Sequence, residues 1–285
     1  MDKIILKFNQ SPDDFYGHQI VTAPTHETYY IGPGTHPHYE ILYHIEGNLE
    51  YIIEGETYKV LPEEMIFIAS TEIHTLKIDG NYPFERAVIL FNFNAFKSLL
   101  GRNIEESHSK YFEGENYLHI IPKEIVKKHR LKELMFSILE SDKYGKYAQL
   151  HAVSKTLDFI IELDKVFVSN KVSFVQHPTI VDPFIKQVVS YIDEHITEPL
   201  MLDKIANSLF ISKSTLCHRF NKHMNISLNR YITVKKINYA RKLIYDGMSA
   251  AEASFAVGYE NYTSFYYNYK QIFNAPPSAD KLSDK

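Results

Sequence analysis

The 285-residue chain carries 31 Lys and Arg against 35 Asp and Glu, is 45% hydrophobic, and has one cysteine and no tryptophan. That apolar content suits one large core or two of ordinary size, and the lone Cys217 excludes an internal disulfide framework and fits a reducing compartment. No apolar run approaches the ~18 residues of a membrane span, and the opening "MDKIILKFNQSPDD" is too short and too acidic for a signal peptide, so a soluble cytoplasmic protein with no membrane partner is expected.

Charge divides the chain. Residues 183–285 hold thirteen Lys and Arg against nine Asp and Glu, a net +4, whereas residues 1–182 are net −8. A mildly basic piece behind an acidic body suits contact with a polyanion.

From Thr28 to Phe93, β-branched and aromatic runs such as "YEILYHIEGNLEYIIEGETYKVL" and "PEEMIFIAS" are broken by turn signals. This pattern predicts an antiparallel sandwich or barrel, with the glycines of "EGN" and "EGE" at hairpin turns. After Asn94 the period lengthens. "PKEIVKKHRLKELMFSILES" and "YAQLHAVSKTLDFIIELDKVF" predict two amphipathic helices, with Leu131, Leu134 and Ile138 on one apolar stripe and Leu150, Val153, Leu157, Ile160 and Ile161 on the other. These helices would cover the sheets, and residues 94–168 are also a candidate dimer interface. "SNKVSFVQHPTIVD", Ser169 to Asp182, has no helical period and is the expected linker. The fold class is therefore α+β in two domains: residues 1–168 as a β-domain with appended helices, 169–182 as linker, and 183–285 all-α.

In the last segment a short helix in "MLDKIANSLF", a tight turn and a second helix in "SKSTLCHRFNKHM" follow helix-turn-helix grammar, with Ser212 as N-cap. A long helix, "LNRYITVKKINYARKLIYDG", then leads to a second unit, "AAEASFAVG" and "ENYTSFYYNYKQIF". Projected at about 100° per residue, Phe265, Tyr269 and Ile272 form the buried side of the last helix, while Thr263, Tyr267 and Lys270 turn away from it and Tyr266 lies on the flank. Leu216 and Phe220 are buried by the same projection, which turns Ser214, Cys217, His218 and Asn221 outward.

Those motifs resemble the paired helix-turn-helix domain of the AraC/XylS transcription regulators, over Pro199 to Pro277. The region before Asn94, through "HPHYEILYHIEGNLEYIIEGETYKVLPEE" and "IHTLK", is similar to the cupin-like sensor barrel that many such regulators carry. The usual Pro-x-x-Tyr-Arg ending is replaced by "PPSADK".

The resemblance implies a sequence-specific, DNA-binding regulator responding to a small molecule, without enzymatic activity. It places base-reading roles on Ser214, Cys217, His218, Asn221, Thr263, Tyr266 and Tyr267. Candidates for phosphate contacts are Lys213, Arg219, Lys222, Lys235, Lys236, Asn261, Tyr262 and Lys270. Without arginine at the groove-facing positions, AT-rich or methyl-dependent sites are expected. Sugars are a favoured effector class of the family, and Tyr39, Tyr43 and Tyr51 could stack on a pyranose. The expected pocket comprises His36, His38, Glu40, Tyr43, His44, Tyr51 and His74. Cupins use such residues as metal ligands, but the glutamate spacing and Pro62-Glu63-Glu64 depart from their pattern, so no cofactor is expected, with a metal at His36, His38 and His74 as the alternative. Double-stranded DNA, a second copy of the chain and RNA polymerase are the implied partners. A metal-dependent cupin enzyme and a protein-interaction module stand as rival readings.

Overall fold

The structure, a computed structural model, describes residues 6–7, 16–22, 26–34, 36, 38–69, 72–91, 119–169, 180–273 and 275–280. Most of the expected linker, the segment directly after Asn94 and most of the N-terminal stretch lie outside the described residues.

Eleven described strands run in chain order: β1 Leu6–Lys7, β2 Tyr16–Thr22, β3 Tyr29–Gly34, β4 Tyr39–Glu46, β5 Leu49–Ile53, β6 Glu56–Val60, β7 Met65–Ile68, β8 His74–Ile78, β9 Phe84–Phe91, β10 Ile120–Ile121 and β11 Ile180–Val181. They form two antiparallel sheets, in orders β1-β2-β9-β4-β7-β10 and β11-β6-β5-β8-β3. The expected barrel is thus a pair of facing sheets, and no ladder joins them among the described residues. Leu42, Ile66, Ile68 and Val88 of one sheet meet Tyr51, Ile53, Val60 and Leu76 of the other in a shared core. Strand alternation sends Glu40, Leu42 and His44 into this inter-sheet layer and Tyr39, Ile41 and Tyr43 to the opposite face.

That opposite face is covered by helices. The first expected helix is broken in two, α1 Lys123–Lys128 and α2 Leu131–Leu139, because Arg130 takes a left-handed conformation at φ 54°. A 3₁₀ turn, Ser141–Tyr147, then leads to α3, Ala148–Ser169. Met135, Ile138, Phe159, Ile160, Leu163 and Phe167 bury against Tyr39, Ile41, Phe67 and Phe91. The stripe expected on α3 is shifted: Leu150 and Ile161 are exposed, at 69% and 48%.

The C-terminal region is helical: α4 Pro183–Glu194, α5 Leu202–Ser208, α6 Lys213–Met224, α7 Leu228–Tyr245, α8 Ala250–Ala256 and α9 Tyr262–Phe273. Asp182 caps α4 through Phe184 N at 2.9 Å, ahead of a proline at the first helical position. Ile185, Val188 and Ile192 pack with Leu216, Phe220, Leu228 and Tyr231, and Ile73 from the β-region joins this cluster. Ile237, Ala240, Ala253, Phe265 and Tyr269 make a second cluster, and Ile272 touches both.

Candidate DNA-binding surface and sensor site

The two helix-turn-helix units are α5–α6 and α8–α9. Each first helix ends in a left-handed residue, Phe210 at φ 55° and Gly258 at φ 73°. The next N–H then turns back to satisfy a terminal carbonyl, Ile211 N to Ala206 O at 3.0 Å and Tyr259 N to Ser254 O at 3.1 Å. The second helices start on matching caps: Ser212 Oγ accepts from Thr215 N and Asn261 Oδ1 from Ser264 N. Asn261 therefore spends its side chain on the helix start.

On both second helices the expected split is observed. Leu216, Phe220, Phe265, Tyr269 and Phe273 are buried. Ser214, His218, Asn221, Thr263, Tyr266 and Tyr267 are exposed, and Cys217 is half-buried. Tyr267 reaches 62% exposure, and its hydroxyl accepts from Gln271 Nε2 at 2.7 Å, which steadies a phenol otherwise free to swing. The aromatic-rich last helix thus uses Phe265, Tyr269 and Phe273 as core and leaves Tyr266 and Tyr267 exposed.

The cations divide less evenly. Lys222 and Lys270 are exposed, and Lys213 is exposed while paired with Asp203 at 3.0 Å. Arg219 stacks on the Phe184 ring at 3.8 Å, near Asp182. Tyr262 is 38% exposed against Phe265 and Tyr266. Two expected phosphate contacts are corrected. Lys236 is buried, and its Nζ donates to Glu198 O and Val257 O, both at 2.7 Å. It therefore ties the approach to the first unit to the turn of the second, with burial holding its pKa below the ordinary value. Lys235 is committed to Asp193 at 2.9 Å and Glu54 at 3.3 Å. A helical period shows which way a lysine points but cannot show that another helix or a distant hairpin occupies that direction.

In the β-region, His36, Glu40 and His74 come together. Glu40 Oε2 lies 3.1 Å from His36 Nε2 and 3.5 Å from His74 Nε2, and Glu40 Oε1 accepts from Tyr51 OH at 2.9 Å. Arg86 Nη1 reaches the Tyr51 oxygen at 3.4 Å. Burial alone would raise the Glu40 pKa, but the hydrogen bonds and charges of the two histidines override it and hold the carboxyl well below its usual range. Burial opposes charge on His74 too, and contact with Glu40 reverses that and raises its pKa.

The rest of the expected pocket is not assembled there. Tyr43 and Tyr39 face the helices, where Tyr43 meets Phe136 edge-on and Lys132 lies 5.4 Å from its ring. They form no stacking platform, because residues of one strand that differ by an odd number sit on opposite faces. His44 is fully buried near Phe84, and burial pushes its pKa down. The His38 ring is 5.9 Å from that of His36, outside the converging donors.

A third arrangement escaped sequence reasoning altogether. The β5–β6 hairpin closes with Glu54 at φ 47° and Gly55 at φ 89°, both left-handed, as the twist of a two-residue hairpin turn demands. A Cβ on Gly55 would lie 2.5 Å from Ile185 Cγ2, so the tip can seat on α4 only because residue 55 lacks a side chain. Beside it the Glu54 carboxylate accepts from Tyr231 OH, Lys235 Nζ and the backbone N–H of Ile73. Glu54 and Lys235 are 181 positions apart, and no local pattern links them. Ile73 immediately precedes His74, so one strand end serves both the histidine cluster and the clamp on α7.

A two-sheet ligand-binding region joined to a paired helix-turn-helix region with exposed second helices is the layout of a ligand-responsive, DNA-binding transcriptional regulator. A family model described as an AraC-like ligand binding domain matches residues 16–154, and one described as a helix-turn-helix domain matches residues 205–281. Together they account for most of the chain, which belongs to the AraC family of transcriptional regulators. It is 23% identical over 244 residues to the uncharacterized HTH-type regulator YdiP of Escherichia coli, covering 84% of this chain and 77% of that one. It is 22% identical over 231 residues to YbfI of Bacillus subtilis, covering 79% and 78%. The regulatory protein PocR of Salmonella typhimurium is 24% identical over 130 residues, 45% of this chain and 43% of that one. Among solved structures, ToxT from Vibrio cholerae is similar over 93% of this chain and 96% of that chain, at 14% identity and a TM-score of 0.38. Among the described residues no helix is long and apolar enough to cross a membrane.

Proposed function

We propose that the chain acts as a cytoplasmic homodimer in which a small molecule, bound beside Glu40 between the two sheets, alters how the paired reading helices engage DNA. The observation that carries this reading is the Glu54 clamp. It joins the β-region to α7, the helix between the two reading units, through Tyr231 and Lys235. A ligand that shifts His74 shifts Ile73, and Ile73 holds Glu54 by its backbone N–H at 2.9 Å while its side chain packs in the helical core. Any such ligand acts by its differential affinity for the clamped and released states.

Dimerisation is supported by α3. Tyr147, just before it, and Leu150, Ile161 and Val168 are exposed and, with half-buried Leu157, fall at heptad-compatible steps of three, seven, four and seven residues, an apolar seam interrupted by Ser154 and Asp164 that a second helix could cover. A carbohydrate would find hydroxyl partners at Glu40, His36 and His74 but no stacking rings at Tyr39 or Tyr43, so the pocket favours a polar ligand recognised by hydrogen bonds.

The test is duplex binding by Tyr267→Ala. Affinity for a selected operator is expected to fall by about 1–3 kcal/mol with a smaller loss on random duplex. Equal losses on both across a salt series refute base reading by this face.

A further inference from the structure

We propose that His36, Glu40 and His74 bind a divalent transition-metal ion. The inference rests on the sensor reading above for its regulatory meaning, but its chemistry stands on the site itself.

His36 Nδ1 lies 3.0 Å from the carbonyl oxygen of His38, and His74 Nδ1 lies 3.0 Å from that of Glu72. A carbonyl oxygen only accepts, so each Nδ1 carries a proton, and a neutral imidazole protonated there presents a lone pair at Nε2. Both Nε2 atoms face Glu40 Oε2, 3.1 and 3.5 Å away, and an ionised carboxylate oxygen only accepts. Each Nε2 therefore holds either a proton donated to Glu40 or, with that proton released, a lone pair, and in the second state three donor atoms converge on the place a cation would take.

The spacing suits a metal ion. Donors held about 2.0–2.2 Å from a tetrahedral centre are about 3.3–3.6 Å apart. The three donor atoms here all lie within 4.8 Å of one another, with the two carboxylate distances near that range. Outer support is in place as well. The two backbone carbonyls fix the imidazole tautomers, and Tyr51 OH holds the far oxygen of Glu40, with Arg86 behind it. Two imidazoles and one carboxylate favour ions such as Zn²⁺, Ni²⁺ or Fe²⁺ over Mg²⁺ and Ca²⁺, which take all-oxygen shells. His36 keeps a side-chain exposure of 24%, which gives an ion a way in, and three protein ligands leave a position open to an oxygen of the effector.

The experiment uses the full chain, stripped of metal and then dialysed against Zn²⁺ alone or titrated with Co²⁺, with bound metal counted and the Co²⁺ absorption spectrum recorded. Wild type and His38→Ala are expected to retain one equivalent. His36→Ala and His74→Ala are expected to lose it, and Tyr51→Phe to bind about 10–100-fold more weakly. Excess Mg²⁺ should not compete. A wild-type protein that retains no metal, or a His36→Ala protein that binds as well as wild type, overturns the proposal. Because His74 is buried and its replacement could disturb folding, the rim variant His36→Ala, checked by circular dichroism, decides the matter. Metal content is read without DNA, so the two readings fail separately. A metal-free protein with effector-dependent duplex binding sinks the metal site alone, and a metal-loaded protein that ignores duplex sinks the regulator reading alone.

Discussion

Neutralising Glu54 tests whether the clamp between the β-region and α7 contributes free energy. In Glu54→Gln the side chain keeps its length and an acceptor for Ile73 N, but Lys235 loses one of its two carboxylates and Tyr231 OH loses a charged acceptor. A hydrogen bond to a charged group contributes about 1.5–3 kcal/mol, and breaking a fully buried pair costs about 3–5. The Lys235 and Glu54 side chains are 20% and 22% exposed, and Asp193 remains 2.9 Å from the ammonium, so screening and the surviving partner bring the expected loss to about 2 kcal/mol. Combined with Lys235→Met in a double-mutant cycle and measured by urea unfolding of the full chain, the coupling should be about 1–1.5 kcal/mol. Since the two positions share no local structure, coupling within the ~0.5 kcal/mol of simple additivity would refute the idea that this contact joins the two regions.

Gly55→Ala should lower the unfolding free energy by about 2–4 kcal/mol, combining left-handed strain with the overlap on Ile185; a calorimetric midpoint equal to wild type would contradict the seating of the hairpin. The exposed Lys222→Ala should weaken binding to every duplex alike and reduce the salt slope by about 0.9 at unchanged stability. Lys236→Met should instead cost about 1–3 kcal/mol of stability, because two inward carbonyls lose their donor, as urea titration of both variants would reveal. Phe210→Gly should raise stability by about 0.5–1 kcal/mol, since a residue at φ 55° and 95% exposure carries left-handed strain with little packing to lose; a lower melting temperature would show that the ring is held by contacts after all.

The helical half was legible in the sequence because its determinants are local. Caps at Ser212 and Ser249, the glycine at 258 and the three-to-four-residue apolar spacing of Leu216–Phe220 and Phe265–Tyr269 each act within a turn or two of helix. The convergence of His36 and Glu40 was near the surface of the pattern for the same reason, since Glu40 lies at the start of β4 and His36 only four residues before it. Elsewhere the sequence was silent or misleading. Tyr43 carried the right chemistry on the wrong strand face, and Lys235 and Lys236 pointed away from their own helix into partners more than twenty positions distant. The break at Arg130 depends on a left-handed residue that no glycine or proline announces.

The two carbonyls that share the Lys236 ammonium belong to Glu198 and Val257, on either side of the helix that separates the reading units, while Ile272 leans on both apolar clusters. A head braced in that way works as a calliper whose jaws do not slide. With α6 and α9 reading DNA as proposed, one base pair inserted between their two target sequences would displace the second by about 3.4 Å and turn it by about 35°. The protein would then have to surrender one jaw, so its promoters should tolerate changes of letter more readily than changes of spacing.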